Sequence, residues 1–224
     1  MNGVSIAKLV DAYPRLYHVT SEGSWPFIEK HGLLSTEALL DLFEISGAQR
    51  NQLLRSRRPE CVTIKHPVHG RAIIRDQKPL IESRLRTALE DDLQPTDWYE
   101  LLNRRTFFWV SPDRVETLRN ARAYETLRQT LIEVDTARLL DRHAGKVNLC
   151  PMNSGATRPM AFPRGKQTFL PINEYAFEER RRKRGLKHAV VELTVNYAVK
   201  DIRELVVCVR ELGGGSPETI LFSR

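Results

Sequence analysis

Near the C-terminus the apolar run His188-Ala-Val-Val-Glu-Leu-Thr-Val195 holds a single carboxylate, Glu192. An unpartnered buried carboxylate is costly, so Glu192 must face water, pair with a cation or open into a site. Two other segments carry groups that such a site needs. Tyr17-His18-Val19-Thr20 lies near the N-terminus, and Arg104-Arg105-Thr106-Phe107-Phe108-Trp109 lies mid-chain. On a strand, side chains two apart share a face, so His18 and Thr20 present two polar groups to one ligand. Taken together, the three segments suggest a cleft enzyme.

Several common catalytic engines are excluded. The sequence has no GxxxxGK[ST] phosphate loop, GxGxxG, GxSxG, HExxH or CxxC. Kinases, Rossmann oxidoreductases and zinc hydrolases fall with them, and no metal site is expected. The stretch from Asn148 to Tyr175 is rich in Pro, Gly, Asn and Ser, and a loop of that length in a compact fold is usually functional. Its amide, hydroxyl and cationic side chains suit contacts to phosphates and bases. Asn153, Ser154, Thr157, Arg158, Arg164 and Lys166 are therefore placed near an acceptor substrate.

The elements that must position these residues can be read from breakers and periodicity. A helix over residues 4–13 closes at Pro14, and a strand over Leu16–Val19 follows. Ser24 opens a helix that ends at Gly32; Thr36 caps a second through Glu44, and Ala48–Ser56 forms a third. Val62–Ile64 and Ala72–Ile74 flank the turn signals Pro67 and Gly70 as a hairpin. Helices over Leu80–Leu89 and Pro95–Leu102, the latter capped by Thr96, precede the aromatic strand Thr106–Val110. A helix over Arg114–Tyr124 and strands over Thr130–Asp135, Val190–Val195, Leu205–Val209 and Thr219–Phe222 complete the reading. Helices mixed with scattered strands, without regular alternation, indicate an α+β fold.

The 224 residues are 41% hydrophobic, enough for a sizeable core in one domain spanning 1–224. The formal net charge of +7 favours an anionic partner such as a nucleic acid, and Glu178-Glu-Arg-Arg-Arg-Lys-Arg184 is the obvious basic patch. Cys61, Cys150 and Cys208 are widely spaced and read as reduced thiols. No apolar run reaches the roughly 20 residues that span a bilayer. A soluble, cytoplasmic protein with no membrane partner is expected.

The order of segments resembles a known family. Tyr17-His18-Val19-Thr20, the helix Trp25 to Lys30, and Gly32-Leu33-Leu34-Ser35 look like the opening of ADP-ribosyltransferase-fold proteins that include the DNA-modifying DarT toxins. Phe107-Phe108-Trp109 before Ser111-Pro112 is similar to the second strand of their NAD pocket. Glu192, opening Glu-Leu-Thr-Val-Asn-Tyr, resembles the glutamate that is catalytic there. The whole chain also looks like a group of bacterial proteins known as domain of unknown function 7002.

The resemblance implies an ADP-ribosyltransferase-like split β-sheet with flanking helices and NAD as the bound cosubstrate. It implies that Tyr17, His18 and Thr20 line the NAD pocket, that Phe108 or Trp109 stacks on a ring, and that an arginine clamps the pyrophosphate. By order that arginine is Arg75, then Arg105, with Arg71 third. Glu192 would stabilise the oxocarbenium-like transition state, and ADP-ribose would pass to DNA or RNA in a toxin or phage-defence setting. Two alternatives stand beside this reading: a catalytically silent module that holds a nucleotide or nucleic acid, and an NAD-dependent RNA 2′-phosphotransferase.

Overall fold

The computed structural model describes residues 3–224. It contains twelve strands, among them β1 (Arg15–Ser21), β2 (Leu33–Leu34), β3 (Val62–His66), β4 (Gly70–Ile74), β5 (Arg105–Trp109) and β6 (Arg128–Asp135). The remainder are β7 (Val147–Cys150), β8 (Leu170–Pro171), β9 (Glu192–Asn196), β10 (Ala198–Val199), β11 (Val206–Gly213) and β12 (Ser216–Ser223). Eight strands form one sheet in the order β12-β11-β6-β1-β5-β9-β7-β8, and every neighbouring pair is antiparallel. With eleven α-helices among the described residues, the protein is α+β. Two short pairs stand apart from the sheet, β10 with β2 and the hairpin β3–β4.

Side-chain alternation divides the sheet into two apolar faces. Leu16, Phe108, Ile132, Val134, Leu149, Leu193, Val195 and Val209 join one core, under the helices Ile6–Ala12 and Thr136–His143. The other face holds two smaller clusters. Val19, Leu131 and Leu212 pack with Val115, while Cys150 and Phe169 pack with Trp98 and Tyr99 of the helix Pro95–Asn103. Burying one such large apolar side chain is worth roughly 1.5–3 kcal/mol, so the phase of each strand is strongly set.

The sheet is weakest between β1 and β5. β1 pairs with β6 over seven register positions, but with β5 only at Tyr17↔Trp109. Beyond that pair the strands part towards Ser21 and Arg105. The backbone opening is bridged by a side chain: His18 Nδ1 lies 2.8 Å from the Phe107 carbonyl. Across the opening stand the helix Trp25–His31, the β2–β10 pair and β4, whose partner β3 closes the hairpin. The hairpin packs with the helices Thr36–Leu42 and Gly47–Arg55 around a separate cluster of Leu40, Phe43, Leu53, Ile64, Ala72 and Ile74, while Leu33 and Val199 join the main core.

Local chemistry explains most boundaries, and corrects two expected caps. The helix Thr36–Leu42 begins at Ser35, whose hydroxyl accepts the Ala38 N–H, so Thr36 is its first residue. At Pro95–Asn103 the cap is Gln94, whose N–H is bound by the Asp97 carboxylate at 2.9 Å, and Thr96 lies inside the helix. Gly32 ends its helix at φ +90°, where a Cβ would stand 2.5 Å from Lys200 Cα, so both conformation and packing require glycine. The helices Thr136–His143, Phe177–Arg184, Leu186–Ala189 and Ile202–Leu205 were not predicted as elements. Among the described residues no helix is long and apolar enough to cross a membrane.

Candidate functional site

A cleft of about 310 Å³ opens where β1 and β5 part. That is the lower end of the range for small-molecule sites, roughly 300–1,000 Å³. Its lining combines apolar Phe27, Leu33, Leu39, Ala72 and Ile74 with polar His18, Thr20, Arg75, Asp76, Arg105 and Glu192.

On the β1 wall, burial pushes the His18 imidazole down to about 4, against the opposing pull of the Phe107 carbonyl and with help from the Arg75 charge. At neutral pH the ring is therefore uncharged. With Nδ1–H donated to Phe107 O, Nε2 is left as an acceptor for a hydroxyl or amide. Thr20 Oγ1 lies 3.5 Å from Ser24 Oγ, two hydroxyls side by side on the cleft wall. Arg75 donates through Nη1 to the Val19 carbonyl at 2.9 Å and lies 5.2 Å over the Tyr124 ring. Among the described residues no carboxylate forms an ion pair with it, which keeps most of its donor fork available to an anionic ligand.

The opposite wall is built around Glu192. It is the first residue of β9 and is 4% exposed, in the row that contains Tyr17 and Trp109, at the apex of the opening. Ser154 Oγ donates to Oε2 at 2.7 Å, and the Ser154 N–H is shared between both carboxylate oxygens at 3.2 Å. Burial pushes the Glu192 carboxyl up to about 7; the Ser154 hydroxyl and N–H, the Cys150 thiol and the Arg114 charge pull the other way. Burial also raises the Cys150 thiol well above its ordinary value, with Glu192 adding to the effect, so Cys150 stays protonated. The carboxyl is thus poised between two protonation states near neutral pH.

The cleft gathers part of the expected set and rejects the rest. His18, Thr20, Arg75, Arg105, Ser154 and Glu192 line it together, with Arg71 at its rim. Arg105 is anchored to the Leu101 carbonyl at 2.6 Å and lies 4.5 Å over the Phe169 ring, while its buried Nε has no partner. Tyr17 does not line the cleft: it packs with Trp109 and Leu131, on the side of β1 away from His18 and Thr20. Phe108 is fully buried in the main core and cannot stack on a ligand, and Trp109 packs with Tyr17. The β5 aromatic that does line the cleft is Phe107.

The loop residues also divide. Thr157 is buried, and its hydroxyl accepts the Ile81 N–H at 2.8 Å; Arg164 is 1% exposed and bound to the Ser154 and Phe162 carbonyls. Neither can touch a surface substrate, so both are corrected from acceptor contacts to internal braces. Asn153 closes a local turn by accepting the Gly155 N–H. Arg158 and Lys166 remain exposed, and the basic helix Phe177–Arg184 is solvent-facing and away from the cleft lining.

Sequence reasoning missed Phe27, Asp76, Gln77, Asn103 and Arg58. Arg58 is 7% exposed and fills its donors with Leu53 O, Arg75 O and Asn103 Oδ1; burial pushes its guanidinium down to about 10. Nothing in the local pattern Arg57-Arg58-Pro59 marks one arginine as buried. Phe107 was recoverable, because alternation places it on the face of Arg105. Among the described residues no group of three or more His, Cys, Asp or Glu side chains could hold a metal ion, and all three cysteines are free.

The fold and site thus define an α+β protein with an antiparallel sheet that opens into one polar–apolar cleft. The chain belongs to a family of unknown function, DUF7002, whose model matches residues 14–206. The match covers every cleft residue named above and stops at the first residue of β11. No curated protein and no solved structure matches the chain.

Proposed function

We propose that this protein is an NAD-dependent ADP-ribosyltransferase with an ADP-ribosyltransferase-like sheet, and that its acceptor is a nucleic acid. The observation that carries the reading is the meeting of His18, Thr20, Arg75 and Glu192, distant in sequence, around one cleft at the parting of two central strands. Such a transfer breaks the C1′–N bond to nicotinamide, which leaves with the bonding pair, and joins C1′ to an acceptor atom whose proton passes to solvent.

The side chains suit those tasks. Arg75, with no carboxylate partner among the described residues, supplies a fork for a pyrophosphate, and Arg105 a second cation. His18 Nε2 and the Thr20 hydroxyl take ribose or amide groups, and Phe107 offers a ring in place of Phe108 and Trp109. Glu192, once ionised, places negative charge where the ribose becomes cationic, in surroundings too dry to screen it. Arg158 and Lys166 are the loop cations left to meet acceptor phosphates.

Mass spectrometry after incubation with NAD and separate pools of DNA, RNA and protein tests the reading. An added ADP-ribose mass on nucleic acid, with nicotinamide released, is the expected result. A silent nucleotide-binding module releases no nicotinamide, and a 2′-phosphotransferase releases it only with 2′-phosphorylated RNA; either outcome overturns the assignment.

A further inference from the structure

Arg164 is among the largest fully buried side chains in the protein, yet among the described residues it has no carboxylate partner within ion-pair distance. Its Nη1 donates to the Ser154 carbonyl at 3.1 Å and its Nε to the Phe162 carbonyl at 3.0 Å. Its guanidinium lies 5.6 Å over the Trp98 ring, and Nη2 is buried with no partner. Trp98 Nε1 approaches the same Ser154 carbonyl at 3.4 Å. Ser154 is therefore held from behind through its carbonyl while its N–H and hydroxyl hold Glu192 in front.

A neutral donor would fasten the loop equally well and without the cost of desolvating a cation. What a neutral donor lacks is charge close to Glu192. We propose that Arg164 is a positioning residue for Glu192: it fixes Ser154 against the carboxylate and brings a buried positive charge to the back of that hydrogen-bond chain. This rests on the reading of Glu192 as the reacting carboxylate, but its electrostatic part is measurable without turnover. The hydrogen-bond chain from Arg164 through Ser154 to Glu192 supports the positioning, and the Glu192 charge favours the Arg164 cation. Arg114 is a further cation whose charge pulls the Glu192 carboxyl down. It reaches from the helix Pro112–Arg119 and binds the Lys187 carbonyl and His188.

The test is carboxyl-carbon NMR on protein labelled at glutamate, with the Glu192 resonance assigned by its loss in Glu192→Gln. Arg164→Gln keeps a donor for the Ser154 carbonyl and removes the charge; Arg164→Lys keeps the charge and removes the fork. The Glu192 midpoint is expected to rise by about one pH unit in Arg164→Gln and much less in Arg164→Lys. The acid limb of nicotinamide release should move with it. Ser154→Ala, which removes only the hydroxyl bond, should also raise the midpoint and serves as a second variant if the arginine replacements fold poorly. An unchanged midpoint in folded Arg164→Gln, or in Ser154→Ala, overturns the proposal and leaves Arg164 a brace. If the midpoint moves while the wild type releases no nicotinamide, the positioning role stands and the transferase reading falls.

Discussion

Two buried polar centres flank the cleft, and they are built to opposite standards. Arg58 has its guanidinium donors matched to Leu53 O, Arg75 O and Asn103 Oδ1, and Asn103 is itself bound to the Leu53 and Leu54 carbonyls. That centre is satisfied by the protein alone. Around Glu192 the matching is incomplete: its carboxyl is raised to about 7, and Arg164 Nη2, behind Ser154, has no partner. Satisfied buried groups hold structure, whereas groups left short of partners store a preference for a ligand. On the proposed function, the first centre serves stability and the second the chemistry.

The strongest way to break this contrast is Arg58→Ala. Stranding the Arg75 carbonyl and Asn103 Oδ1 and emptying the buried stem should cost about 3–5 kcal/mol of stability, read as a lower midpoint in urea unfolding. A loss below about 1 kcal/mol would place Arg58 among the dispensable cations.

Glu192 contributes with the opposite sign. Its folded-state value lies above its ordinary 4.5, so the folded protein holds that proton more tightly. The resulting stability is full below about pH 4.5 and is lost as pH rises through about 7. The loss amounts to ~3 kcal/mol for wild type relative to Glu192→Gln across that window. Parallel curves for the two proteins would refute the burial argument. Catalysis should respond the other way, with Glu192→Gln folded but slowed on the order of a hundredfold or more in nicotinamide release. Full turnover by that variant would remove Glu192 from the chemistry.

Smaller effects sharpen the picture of the β1 wall and the acceptor loop. His18→Ala or Arg75→Ala should weaken NAD binding about tenfold by calorimetry, the scale of one or two lost hydrogen bonds. Tyr17→Phe should leave it unchanged, since Tyr17 packs with Trp109 and does not line the cleft. The double reversal Arg158→Glu with Lys166→Glu should lower the salt dependence of nucleic-acid binding by roughly one to two counterions and spare NAD binding. An unchanged slope would detach this loop from the acceptor.

Much of the site was legible because strands encode faces. Alternation pairs His18 with Thr20 and separates both from Tyr17, but Glu192 shares the row of Tyr17, so packing and not alternation excludes Tyr17 from the pocket. Glu192 was legible as a charge inside an apolar run. Phe108 and Trp109 were not, because alternation from Arg105 separates Phe108 from Phe107 but does not say which face of this aromatic strand is core. Register supplied the phase: Phe108 lies opposite Leu193 in the core and Phe107 opposite Thr194. Loop residues were the least legible. Arg158, Arg164 and Lys166 look alike in sequence, yet Arg164 is enclosed while the other two face water.

By itself the sequence determined the α+β character, most element boundaries and the groups able to do chemistry, because periodicity, breakers and side-chain type are local properties. Only the tertiary structure decided that β1 and β5 part after a single pair, that the cleft lies there, and that Ser154 and Arg164 stand behind Glu192. Those outcomes depend on which buried surfaces win the competition for each face and on which residues desolvate one another. Such terms arise between segments far apart in the chain, and no window of sequence contains them.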